Sequence, residues 1–344
     1  MTSPQNAIMH SATVPCRVNL IGEWIDFNGG TVLPMALAPS VTVDIQANQT
    51  TSDRISSAQF EGAQGVAIDA PATHHWADYV RGALQYARKQ AWISTGQDVH
   101  VESAIPVGAG LSSSAAIIVA TLKAVRPPSA SVTDTDLAFA AKDIENTFIG
   151  VPCGIMDQMA VALGKPGTAL ALDTRDCSYE LLDMPASWTI VVAHSGLQRA
   201  LSDGRYRMRR DECLEAARQI GTEFLCDANP DKLGVLDQAL ASRARHVISE
   251  GKRSQEAVVA LRAEDRARFG HLMIESHNSL RDDMDVSVPG IDQLVADAVD
   301  LGANGARITG AGFGGCIVAL VDPAILEEWW RDLKARHSKI ERIA

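Results

Sequence analysis

The sequence predicts an α+β protein of two domains, and three observations carry that expectation. The chain has 344 residues, more than one core usually serves, because single cores stop growing at about 250–300 residues. Its first half alternates short β-like runs with Gly, Asn and Pro punctuation. Its second half is mostly helical, with strands returning near the end. That texture points to α+β packing rather than a regular βαβ succession. The boundary is expected near residue 180, giving domains 1–180 and 181–344.

The elements follow from local pattern. Cys16–Ile21 and Thr31–Leu33 are short apolar runs, and Val41–Ala47 alternates with period 2. Trp76–Ala91 sets Trp76, Val80, Ala83, Leu84 and Ala87 on one helical face. Asp98–Ser103 alternates again, a glycine turn follows, and Ala115–Val125 is a small-residue apolar helix closed by Arg126-Pro127-Pro128. Asp134–Phe148 is helical, and Thr168–Leu172 and Trp188–Ala193 read as strands. Beyond residue 200, Arg205–Ile220, Leu233–Gly251, Ser254–Leu261, Ala263–Ser279 and Ile291–Leu301 are expected helices. Ala306–Ile308 and Cys316–Val321 form an expected strand pair.

Composition narrows the function. A hydrophobic fraction of 46% with 21% charged residues is that of a globular protein. A net charge of −11 argues against nucleic acid or an acidic membrane as partner, since such binders carry basic surfaces. ATP remains possible where positive groups are local. The six cysteines are scattered, without a Cys-x-x-Cys pair or a histidine at ligand spacing, which suits reduced thiols better than disulfides or zinc. Met1–Pro15 lacks an apolar h-region and no apolar run reaches about eighteen residues, so a cytoplasmic protein is expected. Nothing sets an oligomeric state, and a monomer is compatible with the sequence.

Three segments carry chemistry. Gly108-Ala109-Gly110-Leu111-Ser112-Ser113-Ser114-Ala115 joins a strand to a helix. Turn N–H groups and the unpaired N–H groups of a first helical turn converge there, and the helix dipole favours an anion. It lacks the lysine of the common P-loop. Arg17-Val-Asn-Leu-Ile-Gly-Glu23-Trp24-Ile25-Asp26-Phe27-Asn-Gly-Gly30 sets Arg17, Glu23 and Asp26 in an apolar, glycine-rich run, where charges must pair or face a cleft. The two carboxylates could fork sugar hydroxyls, and a surface turn with a salt bridge explains the segment equally well. Val151-Pro-Cys-Gly-Ile-Met-Asp157-Gln158 offers a partly buried carboxylate able to accept a proton from an alcohol. Taken alone, a helix cap is the simpler reading of Asp157.

Ile308-Thr-Gly-Ala-Gly-Phe-Gly-Gly-Cys316 contains Gly-x-Gly-x-x-Gly, but a strand follows where the dinucleotide fingerprint needs a helix. A loop between two strands, close to a ligand or to a neighbouring loop, is expected instead. Asp282-Asp283-Met-Asp285 and His74-His75 lack metal-ligand spacing. Ser112–Ser114 and His194-Ser195 lack a nucleophile elbow.

In this order the segments resemble the galactokinase branch of the GHMP small-molecule kinases. Arg17–Gly30 is similar to the family's Gly-Glu-His-x-Asp-Tyr motif, Pro106–Ala116 to its ATP loop, Glu145–Gln158 to its catalytic-base region and Ile308–Cys316 to its C-terminal glycine motif. Smaller echoes are Arg243-Ala-Arg-His-Val and Ser276-His-Asn-Ser-Leu-Arg-Asp-Asp. The resemblance implies a two-domain GHMP kinase fold, its active site in the cleft between domains, and an ATP-dependent sugar 1-kinase acting on galactose. By the same resemblance Gly108–Ser114 would wrap the ATP phosphates, and Ser114 and Glu145 would hold Mg²⁺ through hard oxygen ligands. Asp157 would deprotonate or orient the anomeric hydroxyl, with Arg17 neutralising charge on the transferring phosphoryl group. Glu23, Asp26, Asp157 and Tyr206 would line the sugar, and Ser57 would touch the nucleotide.

The motif departs from the family at Trp24, where His is usual, at Ile25 for Thr and at Phe27 for Tyr. In the family that His lies toward the sugar's C6 end, so the resemblance implies that Trp24, counted with Ile25 among the sugar-binding residues, shrinks or dries that subsite. A galacto-configured sugar altered at C6, such as L-arabinose, is then tolerated or preferred; the competing reading is that Trp24 packs the fold and points away. The alternative is a sugar- and ATP-binding sensor without turnover. The complete Ser112–Ala116 run and Asp157 favour catalysis.

Overall fold

The computed structural model describes residues 9–106, 110–197 and 204–344. Gly108 and Ala109 of the glycine turn lie outside the described residues. Strands β1 (His10–Asn19), β2 (Thr31–Val32), β3 (Pro34–Ala47), β4 (Ser52–Ser57) and β5 (Ala63–Ala67) come first. Helix α1 (Asp78–Lys89), β6 (Gln97–Ser103), α2 (Ser113–Val125) and α3 (Asp134–Asp143) follow, and α3 runs into a π-helical turn, Ile144–Ile149. Next are α4 (Met156–Leu163), β7 (Thr168–Asp173), β8 (Tyr179–Asp183), β9 (Thr189–His194) and α5 (Arg205–Ile220). Helices α6 (Gln238–Arg262), α7 (Arg266–Asp282) and α8 (Pro289–Asp300) precede β10 (Gly305–Ile308), β11 (Cys316–Val321), α9 (Leu326–Arg336) and β12 (Glu341–Arg342). The fold is a mixture of helix and sheet, as the sequence predicts.

The described residues form two compact units that interleave along the chain. The first takes 9–17, 37–106 and 112–164; the second takes 18–36, 110–111, 165–197 and 204–344.

In the first unit, Val41–Ala47 of β3 pairs antiparallel with β6, from Val41 opposite Ser103 to Ala47 opposite Gln97. Strand β4 lies parallel on the other edge of β6 and pairs antiparallel with β5. Helix α2 touches α1, α3 and α4, and its Ala115–Leu122 stretch is wholly buried. A helix apolar all round belongs in a core, and its small residues let three neighbours approach. Helix α3 begins with a Thr133/Asp136 capping box. The expected Asp134–Phe148 helix is thus α only as far as Asp143. The π turn is explained by α1, where a Cβ on Gly82 would stand 2.5 Å from Ile144 and 2.9 Å from Phe148. The missing side chain seats the turn, which ends at Gly150 with φ +79°.

In the second unit, β2 and β8 flank β7, both antiparallel to it. A separate all-antiparallel sheet runs β10-β11-β9-β12. Every residue of β11, Cys-Ile-Val-Ala-Leu-Val, is buried, and α8 packs on both β10 and β11. The expected helices Leu233–Gly251 and Ser254–Leu261 are one helix, α6, capped by Asp237, which accepts the Leu240 N–H at 2.9 Å. Gly251 does not break it: a Cβ there would lie 3.2 Å from Cys226 Sγ, so the glycine serves close packing. No helix among the described residues is long and apolar enough to cross a membrane.

Candidate active site

The first unit brings Arg17, Ser114, Glu145 and Asp157 together. Arg17 lies in β1 and is 4% exposed. Its Nε and Nη2 both donate to Asp157 Oδ1, at 2.9 and 2.7 Å. Asp157 stands in the first turn of α4, whose N-cap is Ile155. Its carboxylate is therefore not the cap, and with its side chain 33% exposed it can reach a ligand. An acidic group in a first turn is also favoured by the helix dipole.

Glu145 projects from the π turn, an irregularity common at functional sites. Burial pushes its carboxyl from the ordinary 4.5 to about 7, against hydrogen bonds from Ser114, Gln158 and Cys153 and with the Asp157 charge adding to the rise. Gln158 Nε2 donates to Glu145 Oε2, and Cys153 Sγ stands 3.8 Å from the same oxygen. A buried carboxylate joined to a serine hydroxyl is a hard-oxygen pair that suits Mg²⁺, which binds through one or two protein oxygens and keeps waters and substrate phosphates as its other ligands. The buried Gln158 Oε1 has no hydrogen-bond partner among the described residues and offers a further oxygen.

Helix α2 starts at Ser113 behind Gly110 with φ +74° and Ser112 with φ +61°. Among the described residues no side chain caps it, and the buried Ser112 Oγ has no hydrogen-bond partner there. The first-turn N–H groups are left for an anion. Leu111 is buried. Ser57 closes β4, where its hydroxyl meets Gln59 at 3.1 Å; no contact among the described residues links it to the Ser114–Glu145–Asp157 group.

The second unit builds the Glu23–Asp26 turn. Thr309 Oγ1 and the Gly310 N–H donate to Glu23 Oε1 at 2.9 and 2.7 Å. Asn19 Nδ2 donates to Oε2, and the Arg307 guanidinium is 3.3 Å from that oxygen. The loop between β10 and β11 thus approaches a neighbouring loop, as its glycines predict. His246 Nε2 donates to the Glu23 carbonyl at 3.1 Å, while its Nδ1 accepts from the Ser279 hydroxyl at 2.9 Å; burial lowers its pKa and keeps the ring neutral. Glu250 Oε1 accepts the Gly22 N–H at 2.9 Å and the Ser276 hydroxyl at 2.7 Å, and Arg253 is 2.8 Å from Oε2. Ile25 is fully buried, and a Cβ on Gly30 would meet it at 2.4 Å. The Trp24 ring lies 4.9 Å from Tyr206 on α5 and edge-on to Phe27 at 6.3 Å. Asp26 is half-buried.

Sequence reasoning did not assign His246, Glu250, Arg307 or Thr309 to this turn. The echoes at Arg243–Val247 and Ser276–Asp283 contain His246 and Ser276, and were the available signal.

Glu250 makes acid stability testable. Burial pushes its carboxyl up, but the Arg253 and Arg307 charges and the Ser276 hydroxyl outweigh that and hold it at about 2 rather than the ordinary 4.5. The stabilisation is complete above about pH 4.5 and is lost as pH falls toward 2, for a total of about 3 kcal/mol. Urea unfolding between pH 3 and 6 is expected to show this slope, flattened in Glu250→Gln.

Comparison with known proteins shows the family. Residues 78–165 match the GHMP kinases N terminal domain, 257–339 the GHMP kinases C terminal domain, and 4–46 the galactokinase galactose-binding signature. A galactokinase of Roseiflexus sp. (strain RS-1) is 40% identical, with 96% of this chain and 88% of the relative covered. The crystal structure of Lactococcus lactis galactokinase complexed with galactose superimposes with TM-score 0.90 at 27% identity, covering 97% of this chain and 92% of that one. Methanococcus jannaschii mevalonate kinase shares the fold at TM-score 0.71 and 19% identity, covering 99% and 98%. The chain belongs to the galactokinase branch of the GHMP kinases and is an ATP-dependent sugar kinase.

Proposed function

We propose that this chain transfers the γ-phosphoryl group of ATP to the anomeric hydroxyl of D-galactose, or of a galacto-configured sugar altered at C6 such as L-arabinose. The observation that carries the reading is the Arg17–Asp157 pair beside the buried Glu145, which Ser114 hydrogen-bonds. A carboxylate within reach of a ligand can take a hydroxyl proton, and the arginine that holds it supplies positive charge where negative charge develops in transfer. Ser114 and Glu145 would hold Mg²⁺, which when bound neutralises phosphate charge, and the turn and helix start at Gly108–Ser114 would bind the phosphates. Trp24, Asp26 and Tyr206 would contact the sugar, with Ile25 packed beneath them and Glu23 bracing the turn or reaching a hydroxyl. Ser57 would touch the nucleotide. All six cysteines are free thiols, which fits a reducing compartment such as the cytoplasm.

Purified protein with ATP and Mg²⁺ is to be offered D-galactose, L-arabinose, D-fucose and D-galacturonate. ADP release, with the new phosphate located at C1, is the expected result for at least galactose. Binding of these sugars without ADP release would instead make the chain a sensor.

A further inference from the structure

Glu145 stands on backbone that cannot aim it alone. The π-helical turn Ile144–Ile149 departs from regular α geometry and ends at Gly150 in the left-handed region. A glutamate there keeps its torsional freedom unless contacts from elsewhere in the fold remove it. Helix α4 supplies such a contact one residue beyond Asp157. Gln158 Nε2 donates to Glu145 Oε2 and stands 3.4 Å from Cys153 Sγ, which is itself 3.8 Å from that same oxygen. Asn146 Oδ1 in turn accepts the Cys153 N–H at 2.9 Å. Amide and thiol thus converge on Oε2, and Oε1 is the oxygen left to a cation.

Stability does not account for an amide at this position. Gln158 is 0% exposed, in a helix that packs on α2 and α3. Its Oε1 is buried without a hydrogen-bond partner among the described residues. An orphaned buried acceptor is costly, and an apolar side chain of like volume would leave none. Turning the amide over gives no relief, because Oε1 would then face Glu145 Oε2, acceptor against acceptor. The orphan is the consequence of giving the donor to Glu145.

We propose that Gln158 is a positioning residue, which acts on the metal through Glu145 by holding Oε2 and leaving Oε1 for the ion. The role rests on the reading of Ser114 and Glu145 as Mg²⁺ ligands. A neutral amide suits it: it orders the carboxylate without a cation's charge to compete with the metal. Gln158 needs no path to the ligand itself. Groups that orient a metal's ligands in this way set affinity nearly as strongly as the ligands do.

Wild type, Gln158→Met and Gln158→Asn are to be compared by water-proton relaxation with Mn²⁺, which takes the same hard oxygen ligands, in the presence of a non-hydrolysable ATP analogue. Both variants are expected to weaken Mn²⁺ binding by about 10- to 100-fold, with the calorimetric Kd for sugar unchanged. The urea midpoint of Gln158→Met is expected to hold or rise, because its side chain leaves no orphaned acceptor. Gln158→Asn keeps an amide too short to reach Oε2 and reads the same loss should Gln158→Met misfold. In a Glu145→Gln background, Gln158→Met is expected to cost nothing further. Wild-type Mn²⁺ affinity in either folded variant is what a merely structural amide gives, and it overturns the role. So does a further loss on top of Glu145→Gln, which would mean that Gln158 meets the metal directly. Should Glu145→Gln itself bind Mn²⁺ as the wild type does, the metal reading of Glu145 fails, and the role of Gln158 falls with it.

Discussion

Asp157→Asn is expected to lower kcat by about 10²- to 10⁴-fold, the usual contribution of a positioned general base, with KM for ATP largely unchanged. The amide keeps the volume and one acceptor oxygen for Arg17, so the change removes the proton-accepting charge and little else. Arg17 is almost fully buried and its Nε and Nη2 both lie on one Asp157 oxygen; the other oxygen of the carboxylate is thereby the one free to meet a hydroxyl. Initial rates of ADP release at saturating sugar, with circular dichroism to establish folding, make the measurement. A fall of less than about tenfold would reduce Asp157 to an orienting group and leave charge stabilisation as the larger effect.

Glu250→Ala is expected to destabilise the protein by about 3–5 kcal/mol, the range for removing one member of a buried ion pair. Its carboxylate is wholly buried and serves Gly22, Ser276 and Arg253 together. Without it a backbone N–H is orphaned and the Arg253 charge is left in a poor medium, with its Nη2 already lacking a hydrogen-bond partner among the described residues. Denaturant unfolding at neutral pH reads the loss. Because Glu250 holds Gly22, the sugar KM is expected to rise in the folded fraction while the ATP KM does not. A loss below about 1 kcal/mol would mean that water replaces the carboxylate.

Legibility in the sequence followed the range of the interactions involved. Strand β6, helix α2, helix α5 and the β10–β11 pair stand where apolar periodicity puts them, since each depends on neighbours a few residues away. Strand β4 was not read because its inward positions include Asp53, a buried carboxylate paired with Arg88 at 2.6 Å, which erases the apolar alternation. Helix α9 buries only Trp329 and Leu333, too thin a stripe to stand out. The π turn depends on the absent side chain of Gly82, more than sixty residues upstream. Within the candidate site, motif order proposed Arg17 and Asp157 separately. Their contact, across 140 residues of sequence, is a property of the fold alone, and the same holds for Glu23 with Arg307 and Thr309.

The span between Glu23 and Thr309, 286 residues, has a temporal side. At a synthesis rate of roughly 5–20 residues per second, the segment carrying Glu23 and Trp24 waits about 15–60 s for the strand end that completes it. During that interval its carboxylate has neither the hydroxyl nor the amide that later surrounds it, and the segment that opens the second unit is finished almost last. A nascent chain arrested before residue 310 therefore exposes this apolar, charged stretch to chaperones and proteases, whatever the state of the first unit.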